Sequence, residues 1–178
     1  MANRLEIRLA GSGGQGIILA SIILAQAAMQ SGRNVAQTQS YGPEARGGAC
    51  KAEVVVSDGP VGFFNVVKPN FLLALTQASL DKYATGLSGD CAVMIDESLT
   101  APESLKAARL IRLPIIRTAR ETVGKAFTVN IVAVGAISRI LPFTSPEELR
   151  QAVGLYIPKG TEGINFQALK AGLELYDV

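Results

Sequence analysis

No histidine and no tryptophan occur among the 178 residues, and there are only two cysteines, Cys50 and Cys91. The missing histidine removes Ser-His-Asp hydrolysis, Cys-His chemistry and the usual zinc sites. Two cysteines cannot supply the four thiolates of an iron–sulfur cluster, and these two do not form a Cys-x-x-Cys redox pair. Charge is scarce too: Asp, Glu, Lys and Arg make up 18% of the chain and the net charge is +2. So small an excess, with no aromatic–basic interleaving, argues against nucleic acid as a partner. The longest apolar run, near residues 17–29, is broken by Ser21 and Gln26 and falls short of a membrane span. The N-terminal MANRLEIRLAG lacks a signal-peptide hydrophobic region, so a cytoplasmic location is expected. A chain with these gaps is expected to do little covalent chemistry by itself.

Apolar residues, by contrast, reach 48%. Either the core is unusually free of polar groups, or part of the surface is meant to be covered by another protein. The length fits one domain, residues 1–178.

Strand and helix signals alternate along the chain. RLEIRLA (4–10) alternates apolar and polar residues as a strand does. GSGGQG follows, then the apolar helix IILASIILAQAAMQS closed by Gly32. NVAQTQ and ACKAEVVVS read as strands, with Asp58-Gly59 as a hairpin signal leading to a short return past Pro60. FLLALT (71–76) and CAVMI (91–95) are buried strands by composition, with a helix over QASLDKYAT between them. Capping boxes are expected at Thr100–Glu103, Thr118–Glu121 and Ser145–Glu148, and RLIRL (109–113) is a strand. VNIVAVGAISRIL (129–141) is a long apolar helix ended by Pro142, and the last helix runs from Asn165 to Tyr176. The expected fold is α/β: a single Rossmann-like three-layer domain with a mostly parallel sheet and an antiparallel hairpin addition near 48–64. Glu6 and Arg8 conflict with a first strand buried on both sides.

Gly11, Gly13 and Gly16 spell G-x-G-x-x-G between a strand and a helix, with Gly14 and Gln15 inside the turn. Glycines permit a tight turn and close backbone approach, and a helix N-terminus offers unpaired N–H groups to an anion. A dinucleotide site also needs an acidic residue about 20 positions on, at the end of the second strand. That neighbourhood reads Ala36-Gln37-Thr38-Gln39-Ser40, with neither an acid nor an arginine. Three readings stay open here: a dinucleotide, another anion or a neighbouring subunit, or glycines that serve only the turn and its packing. Gln15 either meets a ligand or caps the turn.

SYGPEARGG (40–48) sets Tyr41, Glu44 and Arg46 among Gly42, Pro43, Gly47 and Gly48, too Gly/Pro-rich for a helix and too polar for a core strand. Loops that fix charged residues between glycines are common ligand or partner sites. Arg46 suits a carboxylate or phosphate, Tyr41 can stack or donate a hydrogen bond, and the glycines admit a partner's backbone. Alternatively, Glu44 pairs with Arg46 and braces the loop. Lys51 and Glu53 read as a solvated or interface face, and the arginines at 109, 112, 117 and 120 as exposed faces.

GSGGQGIILASIILAQAA and QSYGPEARGG together resemble the gamma subunit of 2-oxoacid:ferredoxin oxidoreductases, most closely the 2-oxoglutarate branch. The likeness continues in FLLALTQASLDKY, in TVNIVAVGAI and in the late Asn165 and Gly172, so it covers nearly the whole chain. Residues 60–70 depart from the family pattern, which more often has a Tyr-Pro and an aspartate where Asn70 stands. The resemblance implies a subunit, inactive alone, of a complex that decarboxylates a 2-oxoacid and forms an acyl-CoA. In that complex thiamine diphosphate, iron–sulfur clusters and CoA act, and electrons pass to ferredoxin. It implies alpha, beta and ferredoxin-like delta sister chains, and no cofactor held by this chain alone. No catalytic residue and no metal ligand is expected here; the glycine turn and the 40–48 loop become cofactor-binding or subunit-boundary candidates. The alternatives are a pyruvate, branched-chain or indolepyruvate version of the complex, a free-standing dinucleotide-binding oxidoreductase, or a purely structural assembly subunit.

Overall fold

The computed structural model describes residues 4–40, 48–141 and 143–176. Six strands form one sheet: β1 (Arg4–Ser12), β2 (Asn34–Gln39), β3 (Ala49–Ser57), β4 (Phe71–Ala74), β5 (Ala92–Asp96) and β6 (Arg109–Leu113). Their order is β2-β3-β1-β4-β5-β6. From β1 to β6 every pairing is parallel, whereas β3 runs antiparallel to both β1 and β2. The expected α/β architecture with its parallel sheet is therefore present, and the antiparallel strand sits inside the sheet. The hairpin forms between β2 and β3, with residues 40–48 as its connection. No return strand follows Asp58-Gly59; Asp58 instead forms an ion pair with Arg33 at the end of the preceding helix.

One face of the sheet is covered by α1 (Ile17–Gln30), α4 (Val129–Ser138), α5 (Pro146–Tyr156) and α6 (Glu162–Leu173). Ile7, Leu9, Val54, Phe71, Leu73 and Met94 point into this core, all essentially solvent-free. The other face carries Ala10, Leu72, Ala74, Val93 and Ile95, packed on Leu80 and Ala84 at α2 (Gln77–Tyr83). Strands β4 and β5 thus meet apolar groups on both sides, which is why FLLA and AVMID read as nearly unbroken apolar runs. Helices α1 and α4 are apolar all round because both are enclosed, α1 between the sheet and α5, and α4 among α1, α5 and α6.

Local signals set most helix ends. At α1 the Gly32 N–H donates to the Met29 carbonyl and the Arg33 N–H to the Ala28 carbonyl, each at 3.0 Å. Gly32 has φ 76°, the left-handed conformation that this C-terminal motif requires. Ser145 and Glu148 form the expected capping box at α5, and the carboxyl of Glu148 is held below its ordinary pKa by hydrogen bonds from the Ser145 N–H and hydroxyl. Thr76 and Ser79 cap α2.

Two expected capping boxes do not form. Residues 101–108 contain no helix, and the Thr100 N–H donates to Gln77 Oε1 at 3.0 Å. Thr118 falls inside a helical stretch that begins with α3 (Ile115–Arg117) and continues as a π-type turn over Thr118–Thr122. Its start is capped from a distance, by the Ile116 N–H donating to Asp96 Oδ2 at 2.8 Å. The helix over 129–141 ends at Ser138; Pro142 lies outside the described residues. The last helix begins at Glu162, three positions before Asn165.

Glu6 and Arg8 are accommodated because the second sheet face is only partly covered by α2. Arg8 donates through Nε to Glu53 Oε1 at 2.7 Å and through Nη2 to the Val66 carbonyl at 3.2 Å. Glu6 Oε2 accepts from the Val67 and Lys68 N–H groups at 3.0 and 3.2 Å. Asn70 Oδ1 accepts from the Glu6 N–H at 2.8 Å, and the Asn70 N–H donates to the Glu6 carbonyl at 2.8 Å. Lys51 and Glu53 are not a solvated face: Glu53 is 7% exposed and bonded to Lys51 Nζ at 2.8 Å. The arginines at 109, 112, 117 and 120 are exposed, as expected.

Candidate functional site

The glycine turn joins the C-terminal end of β1 to α1. Gly14 and Gly16 adopt φ 88° and 69°, where side-chain-bearing residues are strained. A side chain at Gly16 would also overlap Asn130 of α4, whose Nδ2 approaches the Gly16 carbonyl at 3.5 Å. Gln15 turns inward. Its Oε1 accepts from the Ser12 N–H at 2.8 Å and its Nε2 donates to the Leu75 carbonyl at 3.4 Å, tying the turn to the end of β4. Gly11 is needed to admit this side chain, because a Cβ there would stand 2.6 Å from Gln15 Oε1. Gln15 therefore braces the turn, and Gly13 and Gly14 are the exposed part of it.

The register of β3 against β1 brings the residues that flank the 41–47 segment to the same end of the sheet. Ser12 faces Ala49 and Gly11 faces Cys50, while the Ser40 N–H donates to the Lys51 carbonyl at 3.2 Å. Both ends of the 40–48 connection thus stand beside the glycine turn. Between them lies an open cleft of about 380 Å³, lined by Ser12, Gly13, Gly14, Gly16, Ile17 and Ile18 on one side and Ser40 and Cys50 on the other. Clefts at the carboxyl ends of strands are where open α/β sheets hold ligands. Gly48 is half-buried at the edge of the connection; Tyr41, Gly42, Pro43, Glu44, Arg46 and Gly47 lie outside the described residues.

The architecture bears directly on the dinucleotide reading. In a dinucleotide-binding sheet the strand carrying the ribose-binding acid lies next to β1. Here β3 intervenes, so β2 is displaced by one further strand spacing, about 4.8 Å. No residue of β2 is acidic, and Gln37 is committed to α1, its Nε2 donating to Ser21 Oγ at 2.9 Å.

Cys50 was not singled out by its surroundings in the sequence; only the strand register sets it in the cleft. Neither cysteine is in a disulfide. Cys91 is buried against the α2 side of the sheet, and burial pushes its thiol up to about 11, partly offset by the charge of Arg8. The two sulfurs sit in different parts of the fold and do not make a cluster-binding set. Among the described residues no group of three or more His, Cys, Asp or Glu side chains could hold a metal ion, and no helix is long and apolar enough to cross a membrane. Iodoacetamide on the native chain at pH 8 is expected to modify Cys50 and spare Cys91, because thiolate and access are both required. Peptide mapping reads this out, and prior labelling of Cys91 would contradict the burial.

A family model described as pyruvate ferredoxin/flavodoxin oxidoreductase matches residues 6–175. The 2-oxoglutarate synthase subunit KorC of Methanocaldococcus jannaschii is 42% identical over 175 residues, covering 97% of this chain and 94% of that protein. The ketoisovalerate oxidoreductase subunit VorA of Methanothermobacter thermautotrophicus is 36% identical over 96% of this chain, which spans only 36% of VorA. Among solved structures, the gamma subunit of the keto/oxoacid ferredoxin oxidoreductase from Geobacter sulfurreducens aligns with a TM-score of 0.86 at 39% identity, over 97% of this chain and 96% of that one. With the family model spanning almost every residue, and relatives about 40% identical along nearly their whole length, the chain belongs to the pyruvate ferredoxin/flavodoxin oxidoreductase family.

Proposed function

We propose that this chain, as a single unit over residues 1–178, is the gamma-type subunit of a cytoplasmic 2-oxoglutarate:ferredoxin oxidoreductase. It works with alpha, beta and ferredoxin-like delta sister chains that supply thiamine diphosphate and the iron–sulfur clusters. Its own part is to complete the substrate or CoA path at a subunit boundary, using the cleft and the 40–48 connection. The observation that carries the reading is the meeting of the glycine turn and the base of that connection at one end of the sheet, in a chain 42% identical to KorC.

The cleft suits an anionic ligand such as the diphosphate of CoA. The backbone of Gly13 and Gly14 is exposed, and the first turn of α1 presents its positive end there. Arg46 would add a bidentate, permanently charged contact from the connection. No covalent step is assigned to any residue of this chain; its residues bind, orient and cover.

The test is turnover of the assembled complex with Arg46→Ala, at limiting CoA and with 2-oxoglutarate, pyruvate, 2-oxoisovalerate and indolepyruvate in turn. A charge-assisted hydrogen bond contributes about 1.5–3 kcal/mol, so 2-oxoglutarate-dependent ferredoxin reduction should fall roughly 10- to 100-fold while the assembly stays intact. Unchanged turnover in an intact complex rules out the site role. A preference for another oxoacid moves the chain to that branch.

A further inference from the structure

We propose that residues 58–70 form a docking ridge for the sister polypeptide that corresponds to the larger, unmatched part of VorA, and that this partner presents an apolar hollow with a carboxylate at its rim. The proposal rests on the subunit reading above and assigns it a surface.

Three large apolar side chains stand in solvent within five residues. Phe63, Phe64 and Val67 are 53%, 57% and 65% exposed, and the two rings lie 6.4 Å apart at an interplanar angle of 24°. Apolar groups gathered in this way on a surface mark an interaction site. Their loop is firmly held. The Glu6 carboxylate grips the Val67 and Lys68 N–H groups, Arg8 grips the Val66 carbonyl, and Val66 itself is buried beneath. Two charged side chains on the sheet face, otherwise out of place in a first strand, are thus used to hold an apolar loop outward. A rigid aromatic anchor loses little conformational freedom on binding, as interface hot spots require.

Charge supplies the second half of the recognition. Lys68 is exposed next to Val67 and has no carboxylate partner among the described residues. A complementary partner therefore carries an acidic group beside its apolar hollow. The occupant follows from chain length: this chain spans only 36% of VorA, so in that relative the same fold lives permanently beside further polypeptide. The ridge lies on the sheet face opposite α1, α4, α5 and α6, and so away from Met29 of α1 and Leu155 and Tyr156 of α5; Leu110 and Phe127 are the remaining large apolar side chains exposed among the described residues.

The test is co-expression of the tagged chain with its thiamine-binding and cluster-bearing sister chains, and measurement of how much of each co-purifies. Thermal melting first establishes that the variants fold. Phe63→Ser/Phe64→Ser is expected to lower recovery of the sister chains at least tenfold, and Leu155→Glu to leave it at the wild-type level. Should the double variant melt early, Lys68→Glu carries the test, with a threefold or greater loss expected. Wild-type recovery by a folded double variant, or by Lys68→Glu in its place, overturns the proposal and leaves the subunit reading standing. A wild-type chain that recovers no sister chain removes that reading, and the proposal with it. A wild-type chain that dimerises alone and turns monomeric on the double substitution assigns the ridge to a second copy, which also overturns it.

Discussion

Gly172→Ala is expected to destabilise the chain by about 3 kcal/mol or more, read as a lower urea midpoint with an unchanged slope. Gly172 lies on α6 against the backbone of α4, where an added Cβ would overlap the Val132 carbonyl and stand 3.1 Å from the Ala136 N. Gly135 of α4 repeats the arrangement in reverse: a Cβ there would overlap the Leu169 carbonyl and stand 2.9 Å from the Leu173 N. The atoms met are main chain on both sides, so no side chain can rotate away. The helices would have to separate, and α4 carries Ile131, Val132, Val134 and Ile137 in the main core. Gly163, in the first turn of the same α6, has nothing within 4 Å of its would-be Cβ. Gly163→Ala should therefore leave stability unchanged or raise it by about 0.4–1 kcal/mol. Equal midpoints for Gly172→Ala and wild type would refute the close approach.

Removing the carboxylate of Glu53 has the second large effect. Glu53 Oε1 accepts from both Arg8 Nε and Lys51 Nζ, at 2.7 and 2.8 Å, and the side chains of Arg8 and Glu53 are only 14% and 9% exposed. Arg8 also lies 5.9 Å from the centroid of the Tyr83 ring, whose hydroxyl donates to the Ala49 carbonyl at 3.1 Å. In Glu53→Ala the two cations keep their places without a counter-ion, and breaking a buried pair this way costs about 3–5 kcal/mol. Replacing both partners, as in Arg8→Met/Glu53→Leu, should recover most of that loss, because the cost lies in the orphaned charge. A double-mutant cycle by denaturant unfolding isolates the coupling. A Glu53→Ala chain within about 1 kcal/mol of wild type would mean that the network is solvated.

Much of the fold was legible along the chain. Every strand was found, because alternation in RLEIRLA and unbroken apolar runs in FLLA and AVMI follow directly from one-sided and two-sided burial. Ser145 and Gly32 marked helix ends because their effects act within one turn of backbone. Thr100 and Thr118 carried the same local pattern and did not cap. At Thr118 a long-range donor–acceptor pair, Ile116 to Asp96, had already set the helix start one turn earlier. A capping motif is a local statement, and it yields when a tertiary hydrogen bond fixes the backbone first.

The amino-acid order by itself determined the family and the α/β class, and it displays the two motifs proposed for the site, since these depend on residue types at short spacing. Its lack of histidine and its two cysteines set the expectation that histidine-dependent and cluster-binding chemistry lie elsewhere. Only the tertiary structure decided where β3 goes. By inserting antiparallel between β2 and β1, that strand sets its own Cys50, together with Ser40 at the end of β2, beside the glycine turn and moves β2 one strand further from β1. It likewise decided that Glu6, Arg8 and Glu53 are structural, holding the 58–70 loop outward on a face that α2 covers only in part. Strand pairing joins residues tens of positions apart through backbone hydrogen bonds that any sequence can make, so local pattern leaves strand order open and packing of the whole chain settles it.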